Sequence, residues 1–394
     1  MITYHTYLMI FLVYAALATR GSAGYEATTA TAPGSSIATR EKNHGYREVV
    51  GRIVAQGIGN FPNFRTIPEY NHIVSLMSQD QGRHLLETAA AVDKNLIASD
   101  TFVRAAADHA RLGGGPVVPL RGIRVPSTTW RYVRVYADLR ALFGIDSDFD
   151  TNVAEVGVGY GAQCDIVQRI GAMLAPFGTP ARARRYTLCD LPEVEALAEQ
   201  YIRAISGSSA TDLSLGKLNS NPNSTTSCAS ASGDYSLFIS NYAFSELTSA
   251  VQQIYWDEVI SCSRRGYVTM NAYNGMSTTD FVAKLRESGR HDATIMDSYP
   301  QAVCRGRNVS TAIVVWGVET DRVDRVEAAA LSTAALKSKQ AKKEQECRQI
   351  AARWCRESKT MHSRKHFAVW CDYHKTISAR QWRDRDRTNK QTNK

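Results

Sequence analysis

The stretch Val153-Ala154-Glu155-Val156-Gly157-Val158-Gly159-Tyr160-Gly161-Ala162-Gln163 decides how this 394-residue chain is read. A short apolar strand runs into three alternating glycines, and a helix-compatible segment begins at once. Glycine admits a tight turn and lets a ligand approach the backbone where a Cβ would clash. Such a turn places a nucleotide-like ligand at the carboxyl end of the strand. Glu155 adds a carboxylate, which is unsuited to a pyrophosphate and suited to a ligand bearing a cationic amine. Gly157, Gly159 and Ala162 also satisfy the G-x-G-x-x-A spacing. A dinucleotide ligand therefore stays open as a second reading, and a turn without a ligand as a third.

The pattern continues outward from this turn. The next candidate strand, 184–189, ends in Asp190-Leu191-Pro192. An acidic residue there is placed to accept hydrogen bonds from both ribose hydroxyls, and Pro192 suits the first turn of the following helix. Further strands are expected at 235–240, 265–270, 292–296 and 311–317, with helices at 162–174, 192–205, 244–262 and 278–287. Alternation of this kind implies a parallel-rich sheet with helices on both faces. The Ser/Asn-rich stretch 207–233 reads as an exposed insertion, with one weak strand near Leu213–Leu218. Upstream, 66–112 reads as helical until Gly113-Gly114-Gly115-Pro116, and a second helix follows Pro126.

Composition fits a globular protein and excludes a fully disordered, collagen-like or coiled-coil chain: 44 % of residues are hydrophobic and 22 % charged. The formal net charge of +9 is unevenly spread. Residues 331–394 carry +11 and the rest −2, so a polyanion contact is expected of the tail alone. Tyr7–Ala18 is an apolar run too short for a spanning helix, which needs roughly 20 residues, and it suits a secretory signal or short anchor. The secretory pathway is the expected location, with cytoplasm or an organelle as the alternative. Asn223 and Asn308 are sequons that matter only in that pathway. The eight cysteines follow no zinc or disulfide framework, and Cys164, Cys189 and Cys262 read as free buried thiols.

Four segments carry a resemblance to class I S-adenosylmethionine-dependent methyltransferases, and more narrowly to the sugar O-methyltransferase family. They are S-T-T-W-R-Y (127–132), E-V-G-V-G-Y-G-A-Q (155–163), Y-T-L-C-D-L-P-E-V (186–194) and S-N-Y-A-F-S-E-L (240–247). The resemblance spans roughly residues 70–318. It implies a Rossmann-like α/β fold: a seven-stranded, mostly parallel sheet with a helical N-terminal cap, followed here by a basic C-terminal tail. It also implies S-adenosylmethionine as cofactor, with Glu155, Gly157, Gly159 and Gly161 near the methionine portion and Asp190 on the ribose. Ser240 and Asn241 would lie beside the sulfonium, and Arg131 and Tyr132 would approach from the cap.

Methyl transfer to a sugar or glycoconjugate hydroxyl calls for alignment, water exclusion and removal of the hydroxyl proton. Glu246, just past the fourth strand, is the candidate base; a first-turn helix carboxylate favoured by the helix dipole is the alternative reading of the same residue. Tyr242 and Asn271 are candidate acceptor ligands, and no spacing argues for a metal. The expected division is a signal or anchor at 1–23, a linker at 24–65, a helical cap at 66–150, the cofactor-binding domain at 151–320, and the tail at 321–394. Two other classes stay in view: an NAD(P)-dependent oxidoreductase, and a degenerate methyltransferase fold acting as a binding module.

Overall fold

A computed structural model describes residues 35–74, 76–145, 152–170, 173, 185–206, 215–217, 235–271, 276–297, 302–304, 307–309 and 311–333. Residues from Tyr46 onward form one compact unit, and residues 1–45 form another. The Tyr7–Ala18 run, Asn223 and the tail beyond 333 lie outside the described residues. No helix among the described residues is long and apolar enough to cross a membrane.

The cap begins with helix α1 (Ser35–Gln56), followed by α2 (Pro68–Ile73), α3 (Gln79–Val92), α4 (Lys94–Ala98) and α5 (Asp100–Ala107). Ser78 and Gln81 close a reciprocal capping box on α3. Asp93 and Ser99 cap α4 and α5 through their side-chain oxygens. The expectation of a linker over 24–65 is corrected for residues 46–65, and residues 24–34 lie outside the described residues. Tyr46, Val49, Val50, Ile53, Ile58 and Phe64 are all buried, and Arg65 is 1 % exposed. The i, i+3, i+4, i+7 spacing of Tyr46, Val49, Val50 and Ile53 is that of a helix with one packed face.

A second correction concerns 117–126. Strands β1 (Val117–Leu120) and β2 (Ile123–Pro126) pair as an antiparallel hairpin between the helices of the cap. Its two turn residues, Arg121 and Gly122, both have positive φ, the combination that a two-residue hairpin turn requires. Arg121 is held in that unusual conformation by donating to the carbonyls of Ile97 and Ala98 at 2.9 and 2.8 Å. Helix α6 (Thr129–Phe143) then runs buried along most of its length and ends at Gly144, which takes the left-handed conformation of a helix stop.

The sheet follows. Its strands are β3 (Asn152–Val156), β4 (Arg185–Cys189), β5 (Leu215–Lys217), β6 (Leu237–Asn241), β7 (Arg265–Asn271), β8 (Thr294–Asp297) and β11 (Thr311–Trp316). A small separate hairpin, β9 (Ala302–Cys304) with β10 (Arg307–Val309), interrupts the chain before β11. The order is β5-β4-β3-β6-β7-β11-β8. β5 pairs with β4 at one edge of the sheet. The five strands from β5 to β7 are parallel, whereas β11 pairs antiparallel with both β7 and β8.

Side chains alternate between two cores, as the period-two geometry of a strand dictates. Val153, Leu188, Leu237, Ile239 and Tyr267 enter the core shared with the cap. Ala154, Cys189, Phe238, Val268 and Trp316 enter the other core. Helices α7 (Ala162–Asp165) and α8 (Pro192–Ser206) cover the first face. Helix α9 (Ala243–Glu246) contributes Phe244 to the second, where Trp256 of α10 (Ser249–Glu258) and Phe281 of α11 (Thr278–Glu287) join it. The expected single helix 244–262 is therefore three pieces, with a 3-10 turn at Ile260–Cys262. Cys164 and Cys189 are free and buried, while Cys262 is disulfide-bonded, against the expectation of a free thiol.

Candidate active site

The order of strands turns back on itself between β3 and β6, since β4 and β5 continue to one side and β6 and β7 to the other. Ligands of open α/β sheets bind outside the carboxyl ends of the strands at such a switch point. The glycine turn lies there, and its three glycines are required for two different reasons. Each has positive φ: +82° at Gly157, +53° at Gly159 and +83° at Gly161. A Cβ on Gly157 would stand 1.9 Å from the Ala243 Cβ, and one on Gly161 would stand 3.0 Å from Ala198 and Ile202 of α8. A Cβ on Gly159 would meet nothing within 4 Å. Gly157 and Gly161 thus serve packing, and Gly159 fronts open space.

Asp190 borders that space. It is half-buried at the end of β4, with Oδ1 accepting from Leu191 N–H at 2.8 Å and Oδ2 from Gly159 N–H at 3.4 Å. Burial pushes its carboxyl up to about 6, against the lowering effect of these backbone donors, and Glu193 adds a smaller repulsion. Glu155 is buried at 1 % exposure and accepts a 2.8 Å hydrogen bond from the Tyr186 hydroxyl. Burial raises it to about 8; Tyr186 pulls against that rise and Asp190 adds to it. Two carboxylates of raised proton affinity therefore flank one glycine turn, an arrangement typical of functional sites.

Ser240 and Asn241 end β6. The Ser240 hydroxyl is consumed internally: it donates to Val156 O at 2.9 Å and accepts from Phe244 N–H at 3.1 Å. It fixes the spacing of β3 and the start of α9. Asn241 reaches Gln163 Oε1 at 3.5 Å, and Gln163 in turn reaches the Tyr132 carbonyl at 3.4 Å. Gln163 is a link between sheet end and cap that the sequence reading did not single out.

Arg131 and Tyr132 lie on α6. The Arg131 guanidinium stands 5.7 Å from the Tyr242 ring centre, and Tyr132 packs edge-on against Tyr160 at 5.7 Å. Tyr242 has φ +71°, an uncommon conformation for a side-chain-bearing residue, and its N–H donates to Thr269 O at 2.9 Å. A small cavity between cap and sheet is lined by Arg131, Asp138, Asn241, Tyr242 and Thr269, among others.

Glu246 and Asn271 are brought together: Asn271 Nδ2 donates to Glu246 Oε1 at 2.6 Å. Asn271 is thus engaged with the candidate base. Glu246 is exposed as a residue, yet partial burial of its carboxyl raises its proton affinity and the Asn271 amide offsets part of that rise.

The turn is braced from the cap. Tyr160 stands between Gly159 and Gly161, fully buried, and its hydroxyl accepts from Arg65 Nη1 at 2.9 Å. Asp165, also fully buried, is bound by both Arg169 Nε and Nη2 at 2.8 Å and lies 3.1 Å from His109 Nε2. Burial alone would raise Asp165, but the His109 and Arg169 bonds outweigh it and hold the carboxyl at about 2. Arg169 extends the network to Asp108, on the cap side, at 3.1 Å. No set of three metal-ligating side chains occurs among the described residues.

No protein-family model matches the chain, and no curated protein matches it. Solved structures give weak likenesses. The methyltransferase domain of bacterial CtHen1 is 10 % identical with a TM-score of 0.31, covering 47 % of this chain and 96 % of that one. The N-terminal domain of human METTL16 is 16 % identical with a TM-score of 0.30, covering 50 % and 71 %. Magnesium protoporphyrin IX methyltransferase (ChlM) from Synechocystis PCC 6803, solved with bound SAM, is 12 % identical with a TM-score of 0.27, covering 58 % and 96 %.

Proposed function

We propose that this chain is an S-adenosylmethionine-dependent methyltransferase acting on a hydroxyl of a sugar or glycoconjugate. The observation that carries the cofactor reading is the open space over Gly159 with Asp190 at its edge and Glu155 beneath the turn. Those residue types fit this group: a carboxylate for ribose hydroxyls, a second for an amine, and one glycine left clear of side chains. S-adenosylmethionine supplies a methyl group already activated by a positive sulfonium. The chain's own part is then to bind and orient. Asp190 would accept from the ribose hydroxyls, and Glu155 would be drawn into its ionised form by an ammonium group.

The acceptor reading rests on the resemblance to sugar O-methyltransferases and on Glu246. A carboxylate of raised proton affinity, held by Asn271 past the end of β6, is suited to take a hydroxyl proton. The disulfide at Cys262 supports placing the protein in an oxidising compartment, as does the N-terminal apolar run. Glycosylation of Asn223 in protein isolated from whole cells of the native host tests that placement: a glycan there is expected, and a wholly unmodified Asn223 would count against it.

Titration calorimetry of the full chain with S-adenosylmethionine, S-adenosylhomocysteine and NADH tests the cofactor. Binding of the first two alone is expected. Binding of NADH alone would replace the reading with an oxidoreductase, and binding of none would favour a non-catalytic module. Transfer of a labelled methyl group to a panel of free sugars and glycoconjugates tests the acceptor.

A further inference from the structure

The segment 46–58 is fastened along the helix that follows Asp190. Arg47 Nε donates to Glu193 Oε1 in the first turn of α8. Further along, Gln200 Nε2 donates to Val54 O at 2.9 Å, and Ile58 N–H donates to Gln200 Oε1 at 3.2 Å. At the leading end of this clamp stands Tyr46, whose phenol lies in the field of the Asp190 and Glu193 carboxylates. Its ring begins an aromatic series that leads to the glycine turn. Tyr46 lies 5.5 Å from Tyr70, Tyr70 lies 5.0 Å from Phe64, and Phe64 lies 5.9 Å from Tyr160. A continuous series of buried aromatic rings therefore joins Tyr46, next to the Arg47–Glu193 pair, to the residue between Gly159 and Gly161.

We infer that Tyr46 forms the outer wall of the nucleoside side of the cofactor site, packing beside the adenosine portion next to Asp190. The inference rests on the cofactor reading proposed above and adds to it a residue 111 positions before Gly157. The ligand class is a nucleoside carrying free ribose hydroxyls. An aromatic ring beside such a group offers a π-face at low conformational cost, and the Arg47–Glu193 pair ties the residue next to Tyr46 to the first turn of α8.

The test titrates full-length wild type, Tyr46→Phe and Tyr46→Ala with S-adenosylhomocysteine and with 5′-methylthioadenosine, which lacks the amino-acid portion. Tyr46→Ala should weaken both ligands by the same factor, about tenfold or more, in line with the loss of one stacking partner. Tyr46→Phe keeps the ring and should stay within about threefold of wild type. A folded Tyr46→Ala that binds both ligands as wild type does would overturn the inference. So would a loss confined to S-adenosylhomocysteine, which would assign the effect to the amino-acid end. Should Tyr46→Ala not fold, Arg47→Ala replaces it: weaker 5′-methylthioadenosine binding supports the wall, and unchanged binding overturns it. Wild type that binds neither ligand would instead sink the cofactor reading itself, and the wall with it.

Discussion

The Asn271 side-chain amide donates to Glu246 Oε1 across 2.6 Å, joining the end of β7 to the end of α9. The same Asn271 accepts at Oδ1 from Ser245 Oγ at 2.7 Å, and its N–H donates to Ser245 Oγ at 3.2 Å. Asn271 is therefore held at two points by Ser245 and presents its side-chain amide N–H to Glu246. Its amide stabilises the ionised carboxylate and sets its direction. Glu246→Gln should lower turnover by about 10²–10⁴-fold, the usual scale for losing a general base. Cofactor affinity measured by calorimetry should stay nearly unchanged. Full activity in Glu246→Gln would remove this residue from the chemistry.

Asn271→Ala separates orientation from proton transfer. Without the amide, the carboxyl loses the hydrogen bond that now offsets its burial, so its proton affinity rises further. The acidic limb of the kcat–pH profile should move to higher pH, with a smaller loss at the plateau than Glu246→Gln causes. An unmoved profile would mean that Asn271 does not act through Glu246.

Gly157→Ala and Gly159→Ala should differ in kind. Both residues have positive φ, which costs an alanine roughly 1–2 kcal/mol. At Gly157 the added methyl also stands 1.9 Å from the Ala243 Cβ, so the start of α9 must shift. At Gly159 the methyl enters open space. Urea denaturation should show a clearly larger loss of stability for Gly157→Ala. Gly159→Ala should remain folded and lose cofactor binding. If Gly159→Ala binds S-adenosylhomocysteine as wild type does, the space over it is not where the ligand lies.

Glu155 and Asp190 give stability a pH dependence of known sign. Both have folded-state proton affinities above those of the unfolded chain, at about 8 and about 6. Between the unfolded and folded values the native state holds protons that the unfolded state has lost, so stability falls as pH rises. Their contribution is complete below the unfolded carboxylate range and is lost as pH climbs through about 6 and then about 8. Glu155→Gln should flatten the upper part of this decline in urea titrations at a series of pH values. Cofactor binding should release protons near neutral pH, read as a dependence of the binding enthalpy on buffer ionisation.

Asp165 works in the opposite direction. Its carboxylate is held at about 2 by His109 and Arg169, so its contribution is present above the unfolded value and fails only in strong acid. Asp165→Ala removes both bonds that Asp165 makes to the buried Arg169 guanidinium and leaves it Asp108 as carboxylate partner; it should cost up to about 3–5 kcal/mol, the scale for breaking a buried pair from one side. Thermal melting at neutral pH measures it.

Much of this was legible in the sequence, and the failures have physical causes. Strands β3, β4, β6, β7 and β11 announce themselves as short apolar runs because both faces of the sheet are covered there, whereas the edge strand β8 leaves Ile295 exposed. The carboxyl ends of β3 and β4 could be identified from Gly157, Gly159, Gly161 and Asp190, where backbone conformation and charge restrict the residue type. The β1–β2 hairpin was hidden, since its strands have four residues each, contain Pro119 and Pro126, and turn through an arginine at positive φ. The helix over 46–56 follows an Ala/Thr/Ser-rich stretch without packing period that masks its start, although Tyr46, Val49, Val50 and Ile53 carry its period. Arg65 gave no local sign of its role. A buried arginine depends on partners far along the chain, here Tyr160 and the carbonyls of Leu112 and Gly114.

That bond between Arg65 and Tyr160 bears on what the smallest self-sufficient portion of this protein is. Strand pairing could assemble β3, β4 and β6 from sequence beyond residue 151, but the loop between Gly157 and Gly161 takes its shape from a guanidinium delivered by the cap. An excised sheet domain would keep every residue of the glycine motif and lose the buttress that sets their conformation. Inheritance of this site by recombination would therefore require the cap and the sheet to travel together.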